Sequence, residues 1–252
     1  MDLSNKVILV TGAARGIGQE YVRSLGKAGA LMVAADINRC DETVALAKEA
    51  GAKAISVELD VTKVESAQAM VDTAMQEFGR VDGLINNAAL YGTLKGGRFD
   101  TLSESDWDAA MAVNVKGIWN CCKAAVPEMR NVGGGSIINI ASLAASYGTP
   151  YVLHYTTSKA AVGGLTRGLA RELGRDLIRV NAIAPSAVLT EGTNEFFASK
   201  LDVALETIRK MQAIPNNLNP TDIVGTAQWL LSDASKFVTG QTIALDGGTV
   251  MH

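Results

Sequence analysis

The chain has 252 residues, of which 48% are hydrophobic and 19% charged, a composition typical of globular proteins rather than of disordered or fibrous ones. A formal net charge of −3 and a pI near 5.5 argue against binding to nucleic acid or to an anionic membrane. No apolar run approaches the roughly 20 residues that span a bilayer, and the first residues show no charged-then-apolar targeting pattern, so a cytoplasmic protein is expected.

Apolar runs alternate with helical patterns along the chain. The strand candidates are short runs rich in Val, Ile, Leu and Ala, at residues 6–11, 31–36, 54–59, 83–86, 136–140, 179–184 and 242–245. The intervening helices are predicted near 16–28, 41–50, 64–78, 104–130, 152–174 and 221–232. Continuously apolar strands between helices indicate a parallel sheet covered on both faces. We therefore predict one α/β domain over residues 1–252, a doubly wound Rossmann-type fold with a seven-stranded parallel sheet.

A glycine-rich turn follows the first predicted strand. Gly12, Gly16 and Gly18 lie where that strand gives way to the first helix. Glycines there permit a tight turn and let the backbone approach a pyrophosphate, which the N-terminus of a helix attracts. The spacing is GxxxGxG rather than the commoner GxGxxG, and a glycine cluster alone is an ordinary loop about as often as a binding site. Its place between strand and helix favours dinucleotide binding.

Asp36 closes the second predicted strand. A carboxylate at this position can accept hydrogen bonds from the adenosine ribose and would repel a 2′-phosphate. The simpler alternative is a helix cap or a surface charge. Arg15 and Arg39 argue the other way, because either could contact a phosphate. Since Asp36 lies at the strand end where the ribose is expected, NAD(H) is favoured over NADP(H).

Tyr155 and Lys159 are four residues apart in a predicted helix, a spacing that puts phenol and ammonium on one face. A cation about 4 Å from a phenolate stabilises it by up to about 4 kcal/mol, or about three units of the usual pKa near 10. The pair is therefore a candidate general acid/base. This spacing alone is common on exposed helices, so its meaning depends on the cofactor turn upstream.

Together, these features make the chain resemble the short-chain dehydrogenases/reductases over essentially its whole length. The matching motifs are the turn Thr11 to Gly18, the adenine-pocket pair Asp60-Val61, the segment Asn86-Asn87-Ala88-Ala89, Asn114, Ser142, Tyr155 with Lys159, Pro185-Ser186, Val188, Thr190 and Asp246-Gly247-Gly248. Two positions depart from the family pattern, because Ala89 and Ser186 stand where the family usually has glycine.

The resemblance implies hydride transfer between a nicotinamide cofactor and an alcohol or carbonyl. It implies that Tyr155 exchanges the proton, that Lys159 lowers the pKa of Tyr155 and holds the nicotinamide ribose, that Ser142 orients the carbonyl, and that Asn114 anchors a water relay. The expected cofactor contacts are Gly12, Arg15, Gly16, Ile17, Gly18, Asp36, Asp60, Val61, Asn87, Ala88, Tyr155, Lys159, Pro185, Val188 and Thr190.

The loops beyond the strand ends are expected to bind the substrate. The predicted pocket residues are Leu90, Tyr91, Leu143, Ala144, Tyr147, Tyr151, Ser186, Phe196, Phe197 and Met211. The amphipathic segment 186–219 is either an ordinary packed helix or a lid over an apolar substrate. An apolar lining favours a small secondary alcohol or ketone, cyclic or aromatic, and the chain is similar here to secondary-alcohol dehydrogenases such as 1-phenylethanol dehydrogenase.

Two other functions stay open. An NADPH-dependent 3-oxoacyl-thioester reductase is supported by Arg15 and opposed by Asp36. A non-catalytic dinucleotide-binding regulator would be expected to lack one of Ser142, Tyr155 and Lys159, and the sequence keeps all three.

Metal catalysis and a disulfide framework are not expected. The only histidines are His154 and the terminal His252, which is either a flexible tail or, less simply, a contact with a neighbouring active site. Three cysteines cannot make a disulfide framework, so reduced, partly buried thiols are expected.

Self-association is expected as well. Gly163, Gly164 and Gly168 lie inside a predicted helix, at about 1 kcal/mol each relative to Ala, which suggests close approach of the sheet or of a neighbouring subunit. The family resemblance implies a homotetramer that pairs the helices at 104–130 and 152–174.

Overall fold

The structure is a computed structural model that describes residues 1–251. His252, predicted above as a tail or a contact with a neighbouring site, lies outside the described residues. Seven parallel strands form one sheet in the order β3-β2-β1-β4-β5-β6-β7. The strands are β1 Val7–Thr11, β2 Leu31–Asp36, β3 Lys53–Glu58, β4 Gly83–Asn86, β5 Gly135–Ile140, β6 Ile178–Pro185 and β7 Thr242–Leu245. The predicted seven-stranded parallel sheet is confirmed.

Ten α-helices accompany the strands within residues 1–251. They are α1 Gly16–Lys27, α2 Asp41–Glu49, α3 Val64–Phe78, α4 Glu104–Met111, α5 Gly117–Asn131, α6 Ala144–Tyr147, α7 Leu153–Leu173, α8 Glu191–Phe197, α9 Leu201–Met211 and α10 Pro220–Leu231. The prediction of one helix over 104–130 was wrong in detail. A π-helical segment, Ala112–Lys116, separates α4 from α5.

The core lies on both faces of the sheet because successive strand residues point to opposite sides. In β1, Leu9 packs towards the layer of α3, α5 and α7, whereas Ile8 and Val10 pack towards the layer of α1, α2 and α10. This alternation explains why the strands are apolar throughout. The connection order reverses on either side of β1, so the carboxyl ends of β1 and β4 flank the crevice where ligands of such sheets bind.

The glycines inside α7 are not explained by packing within the chain. Among the described residues, nothing lies within 4 Å of a Cβ built on Gly164 or Gly168. Beside them runs an apolar groove lined by Met111, Ala112, Val115, Lys116, Trp119 and Leu165. Of the two explanations for these glycines, contact with the sheet is therefore wrong.

Cys40, Cys121 and Cys122 are free and buried rather than partly buried. Burial raises the pKa of Cys40 and of Cys122 to about 12, so both thiols stay protonated and unreactive near neutral pH. No helix within residues 1–251 has the length and apolar character needed to cross a membrane.

Candidate active site

A cavity of about 800 Å³ opens at the carboxyl ends of the strands. It runs from the glycine turn after β1 to helices α8 and α9. Most of the residues predicted for the cofactor and substrate sites line it together: Gly12, Arg15, Gly16, Ile17, Asp36, Asn87, Tyr91, Ser142, Leu143, Ala144, Tyr147, Tyr155, Lys159, Pro185, Ser186, Val188, Thr190, Phe196, Phe197 and Met211.

Seven predicted residues do not line this cavity: Gly18, Asp60, Val61, Ala88, Leu90, Asn114 and Tyr151. The carboxylate of Asp60 is hydrogen-bonded within its own loop, because its Oδ1 accepts hydrogen bonds from the amide and hydroxyl of Thr62 at 3.0 and 2.6 Å. Tyr151 is 67% exposed and belongs to the surface rather than to the pocket. Gly18 and Ala88 lie behind the glycine turn and support it.

Each of the three glycines in the turn lies where a larger residue would be strained or would clash. Gly12 and Gly16 have φ of +66° and +61°, in the left-handed region that favours glycine. A Cβ on Gly12 would lie 2.7 Å from the Cα of Ala88, and one on Gly18 would lie 2.1 Å from the carbonyl oxygen of Gly12. The residues after β4 brace the turn, since the amides of Asn87 and Ala88 both donate to Thr11 Oγ1 at 3.0 Å.

These residues fit a dinucleotide. Gly16 and Ile17, at the start of α1, line the cavity, and the first turn of α1 contains no acidic residue that would compete with a phosphate. Asp36 lines the cavity on the β2 side, where its Oδ2 accepts the amide of Ala14 at 3.0 Å and its Oδ1 accepts the amide of Asn38 at 2.9 Å. The carboxylate is thus fixed next to the turn.

Both arginines that could have recognised a phosphate are paired with carboxylates. The guanidinium of Arg15 donates to both carboxylate oxygens of Glu195, at 2.5 and 2.8 Å, and approaches Glu191 at 3.4 Å. Arg39 pairs with Asp41 at 2.8 Å. The negative charge of Asp36 therefore has neither arginine as its counterion.

Three polar side chains meet at the other part of the cavity. Tyr155 and Lys159, one turn apart near the start of α7, are 9% and 3% exposed. Ser142, just after β5, lies beside the phenol of Tyr155, and its Oγ accepts the amide of Ala144 at 3.1 Å. Lys159 Nζ donates to the carbonyl of Ile140 at 2.8 Å and lies 5.8 Å from the centre of the Tyr155 ring. The predicted grouping of these residues is what the fold produces.

The predicted lowering of the Tyr155 pKa by Lys159 is not found in this structure. Burial raises the pKa of Tyr155 above its ordinary value, and the neighbouring Tyr91 raises it further, whereas the hydrogen bond from Ser142 lowers it. Burial also lowers the pKa of Lys159 from 10.5 to about 8. Desolvation penalises the charged form of each group, so both shifts favour the uncharged forms.

Asn114 lies at the centre of the π-helical segment and is 1% exposed. Its Oδ1 accepts the amide of Leu90 at 2.8 Å, and its Nδ2 donates to Ser158 Oγ at 3.0 Å. Ser158 in turn donates to the carbonyl of Tyr155 at 2.8 Å. Asn114 therefore ties the loop after β4 to the helix turn that bears Tyr155, and its role as a water anchor stays a prediction.

The end of the cavity where the substrate is predicted to bind, here called the substrate end, is lined by aromatic side chains. Tyr91 stacks on Phe196 with ring centroids 4.6 Å apart and lies 5.4 Å from the ring of Tyr155. Phe197 meets Phe196 edge to face at 5.0 Å. Ser186 accepts a hydrogen bond from Gln212 at 3.1 Å, so the hydroxyl at this unusual position is anchored to the end of α9.

Ala14, Ile37 and Asn38 line the cavity and were missed by sequence reasoning. Thr193, Ala204, Thr207 and Ile208 also line it and lie within the predicted lid segment 186–219, but they were not among the pocket residues predicted one by one. Ala204, Ile208 and Met211 follow at helical spacing on one face of α9, so the period of the predicted Met211 could have identified the first two. Among residues 1–251, no three His, Cys, Asp or Glu side chains cluster as metal ligands would.

Comparison with known proteins agrees with this geometry. A family model described as enoyl-(acyl carrier protein) reductase matches residues 12–250. An uncharacterized oxidoreductase of Mycobacterium tuberculosis is 42% identical, with 98% of each chain covered. The 3-oxoacyl-[acyl-carrier-protein] reductase FabG of Staphylococcus epidermidis is 35% identical over 98% of this chain and 100% of its own. Glucose 1-dehydrogenase 2 of Bacillus subtilis is also 35% identical, over 100% of this chain and 97% of its own.

Solved structures give the same result. A crystal structure from Sinorhizobium meliloti, assigned as a short-chain alcohol dehydrogenase, is 34% identical and superimposes with a TM-score of 0.92 over 98% of this chain and 97% of its own. One from Burkholderia xenovorans, assigned as a short-chain dehydrogenase/reductase, is 29% identical with the same TM-score and coverage. By sequence, by fold and by the residues gathered in its cavity, this chain is an oxidoreductase of the short-chain dehydrogenase/reductase family, whose members bind a nicotinamide dinucleotide.

Proposed function

We propose that the protein is an NAD(H)-dependent oxidoreductase that interconverts a secondary alcohol and a ketone, with a small apolar, cyclic or aromatic substrate. One observation carries the proposal. Ser142, Tyr155 and Lys159 meet in the same cavity that the glycine turn and Asp36 border. A proton-handling group and a cradle for a dinucleotide thus share one enclosed space.

When bound, the nicotinamide cofactor supplies or accepts the hydride. During reduction, Tyr155 donates its phenolic proton to the carbonyl oxygen as negative charge develops there, and Ser142 donates a second hydrogen bond to that oxygen. The raised pKa of Tyr155 keeps the phenol protonated for this step. During oxidation, Tyr155 accepts the proton from the alcohol.

Lys159 would return a proton to Tyr155 once the phenol has given its own away. Its ammonium is buried beside Tyr155, where little water screens its charge. Its pKa of about 8 keeps most of it charged at neutral pH and lets it pass a proton on to Tyr155. Asn114 would hold the water through which that proton is replaced.

Different residues would hold four parts of the cofactor. The amides of Gly16 and Ile17 would bind the pyrophosphate, and Asp36 would bind the adenosine ribose. Lys159 would bind the nicotinamide ribose, and Val188 and Thr190 the carboxamide. NAD(H) is preferred because Asp36 is fixed at the turn, whereas Arg15 and Arg39 are paired with other carboxylates.

The substrate preference is supported by the lining of the cavity near Tyr155. Tyr91, Phe196 and Phe197 present aromatic surface there, and Leu143 and Ile208 add aliphatic surface. Such a lining gains free energy from covering an apolar substrate rather than a charged one. Residues 186–219, which contain α8 and α9, would act as the lid.

The second candidate is an NADPH-dependent 3-oxoacyl-thioester reductase. It is favoured by the FabG relative, which is 35% identical over the whole of its own length. Asp36 opposes it, because this carboxylate would repel a 2′-phosphate. A non-catalytic regulator is the least supported, since it would have no need of Ser142, Tyr155 and Lys159 in one cavity.

The deciding experiment is a panel of small ketones, secondary alcohols, sugars and a 3-oxoacyl thioester, each assayed with both nicotinamide cofactors. We expect the highest kcat/KM for an apolar ketone or alcohol with NAD(H). Preferred turnover of the thioester with NADPH would establish the second candidate instead. Saturable cofactor binding without turnover of any substrate would establish the regulator.

Self-association through α4, α5 and α7 is part of the proposal. The bare glycines of α7 and the apolar groove beside Trp119 offer a surface that a second copy of the same helices would cover. Sedimentation should give a tetramer. A stable monomer at working concentration would contradict this arrangement.

A further inference from the structure

Helix α8 forms a wall of the cavity opposite the cofactor turn, and one side chain of that turn reaches it. Arg15 precedes the first residue of α1, and its guanidinium contacts both carboxylate oxygens of Glu195 in the last turn of α8, at 2.5 and 2.8 Å. Two parallel hydrogen bonds between a guanidinium and a carboxylate fix orientation as well as distance. Neither residue of this pair had been predicted to contact the other.

The same helix is held from a second side by the loop after β4. Tyr91 stacks on Phe196 at 4.6 Å, and its ring lies 3.6 Å from the position that a Cβ on Gly192 would take. The fit is close, because a Cβ on Gly92 would lie 2.3 Å from a carboxylate oxygen of Glu195. Helix α8 therefore contacts two separate loops, the glycine turn and the loop after β4, and both loops border the cavity.

The charges of this group are unbalanced. Among the described residues, Arg15 is the one cation that pairs with Glu195 and Glu191, and Asp36 adds a further negative charge beside the turn. Held by Glu195, the guanidinium of Arg15 is directed towards α8 rather than towards Asp36. The carboxylate of Asp36 would therefore repel a cofactor phosphate bound beside it, and the positive charge of Arg15 would not offset that repulsion.

We infer that Glu195 is a positioning residue that acts through Arg15: the Arg15–Glu195 pair, here called the clasp, fastens helix α8 across the cofactor cleft and withholds Arg15 from a cofactor phosphate. The clasp slows release of the cofactor and contributes to selection of NAD(H). The selectivity part rests on the proposed function, whereas the fastening of α8 does not.

The test compares Glu195→Gln with Glu191→Gln, because both remove one carboxylate charge from the same helix. Glu191 is the matched control, since it is 71% exposed and its contact with Arg15 is the longer one, 3.4 Å. Arg15→Gln and the double variant with Glu195→Gln complete a double-mutant cycle.

Two readouts are measured. The first is hydrogen exchange of the backbone amides of residues 191–197 in the protein without cofactor, at low and high salt. The second is the release rate and affinity of NADH and of NADPH by stopped-flow fluorescence. Exchange reports the fastening of α8 independently of turnover.

In Glu195→Gln, amide exchange in α8 and NADH release should each rise about fivefold, the effect of losing one well-oriented, partly exposed ion pair. The ratio of NADPH to NADH affinity should rise about fivefold as well, because Arg15 is released. Glu191→Gln should change each quantity less than about twofold. High salt should accelerate exchange in the wild type but not in Glu195→Gln, and adding Glu195→Gln to Arg15→Gln should change nothing further.

Equal exchange in Glu195→Gln and the wild type at low salt would overturn the clasp. Faster exchange with an unchanged affinity ratio would overturn the selectivity role. A wild type that prefers NADPH would refute the proposed cofactor preference, yet exchange and the NADPH release rate would still decide whether the clasp exists.

Discussion

The two ends of the cavity are built in different ways. At the cofactor end, backbone geometry makes the site: Gly12 and Gly16 adopt left-handed φ, Gly18 packs against a carbonyl, and amides of a neighbouring loop brace Thr11. At the substrate end, side chains make the site, and they come from the loop after β4 and from α6, α8 and α9. A backbone-built site tolerates few sequences, whereas a side-chain-built site accepts many. The first end therefore identifies a family, and the second distinguishes its members.

The largest expected effect is at the point where the two ends meet. Tyr155→Phe removes only the phenolic oxygen, the group proposed to exchange the proton with the substrate. Turnover should fall by about 10³-fold, within the range for loss of a general acid/base, while the Kd for NADH changes little. Steady-state kinetics and fluorescence titration measure the two quantities. Near-normal turnover would remove Tyr155 from the mechanism.

The next prediction concerns the backbone-built end. Gly12→Ala places a Cβ 2.7 Å from the Cα of Ala88 at a φ of +66°, so it should lower the free energy of unfolding by about 2 kcal/mol or more. NADH affinity should fall more than about tenfold. Gly174→Ala is the control, because Gly174 has an ordinary φ of −60° and meets nothing within 4 Å among the described residues. The control should be neutral or slightly stabilising, and equal loss in both variants would contradict the backbone argument.

A third prediction concerns the buried charge of Lys159. Its pKa in the folded protein, about 8, lies below its ordinary value of 10.5. Below pH 8 the lysine is charged in the folded and in the unfolded protein, so folding carries the full cost of burying the charge. Between pH 8 and 10.5 the unfolded chain binds more protons than the folded protein, so the free energy of unfolding rises with pH. The stability advantage of Lys159→Met over the wild type should therefore shrink by up to about 3 kcal/mol from pH 7 to pH 10.5.

Urea unfolding at the two pH values measures that change, and Lys53→Met, at an exposed position, serves as the control. An advantage that grows with pH would mean that the folded protein stabilises the charged form of Lys159 and raises its pKa, which would contradict this prediction. Lys159→Met should also lose most of its turnover, since Tyr155 would lack the neighbouring group proposed to return its proton.

The smallest expected effect is on cofactor choice. Asp36→Ala removes the carboxylate that is fixed by the amides of Ala14 and Asn38, and it should raise NADPH affinity relative to NADH by about tenfold. Glu42→Ala removes an exposed carboxylate in the first turn of α2 without freeing Arg39 from Asp41, and it should leave the ratio within about twofold. Affinities measured by fluorescence titration test both. An unchanged ratio of NADPH to NADH affinity in Asp36→Ala would mean that other residues determine the cofactor preference.

The sequence was sufficient for the sheet and for the glycine turn after β1 because both depend on local signals. Apolar runs mark the strands, and the glycines between β1 and α1 mark the turn. The interruption at Ala112–Lys116 could not be predicted, since its residues form a normal helical pattern and only backbone hydrogen bonds, such as that from the amide of Gly117 to the carbonyl of Ala112, reveal it.

Two further features depended on tertiary structure. The pKa directions of Tyr155 and Lys159 follow from burial, and the spacing of four residues that suggested the pair carries no information about burial. The Arg15–Glu195 contact joins residues 180 positions apart, so no local pattern could point to it. Asp60, predicted from family resemblance, is satisfied by Thr62 instead of lining the cavity.

The π-helical segment also has a consequence for how related sequences are aligned. Each residue of an α-helix advances the chain by about 100°, so the wider turn at Ala112–Lys116 works as one inserted residue that shifts the phase of everything after it. Deleting a single residue there would restore an ordinary helix and rotate the face of α5 that carries Trp119 relative to α4. A relative with a one-residue gap at this point should therefore present a different surface to its neighbours, even with every catalytic residue retained.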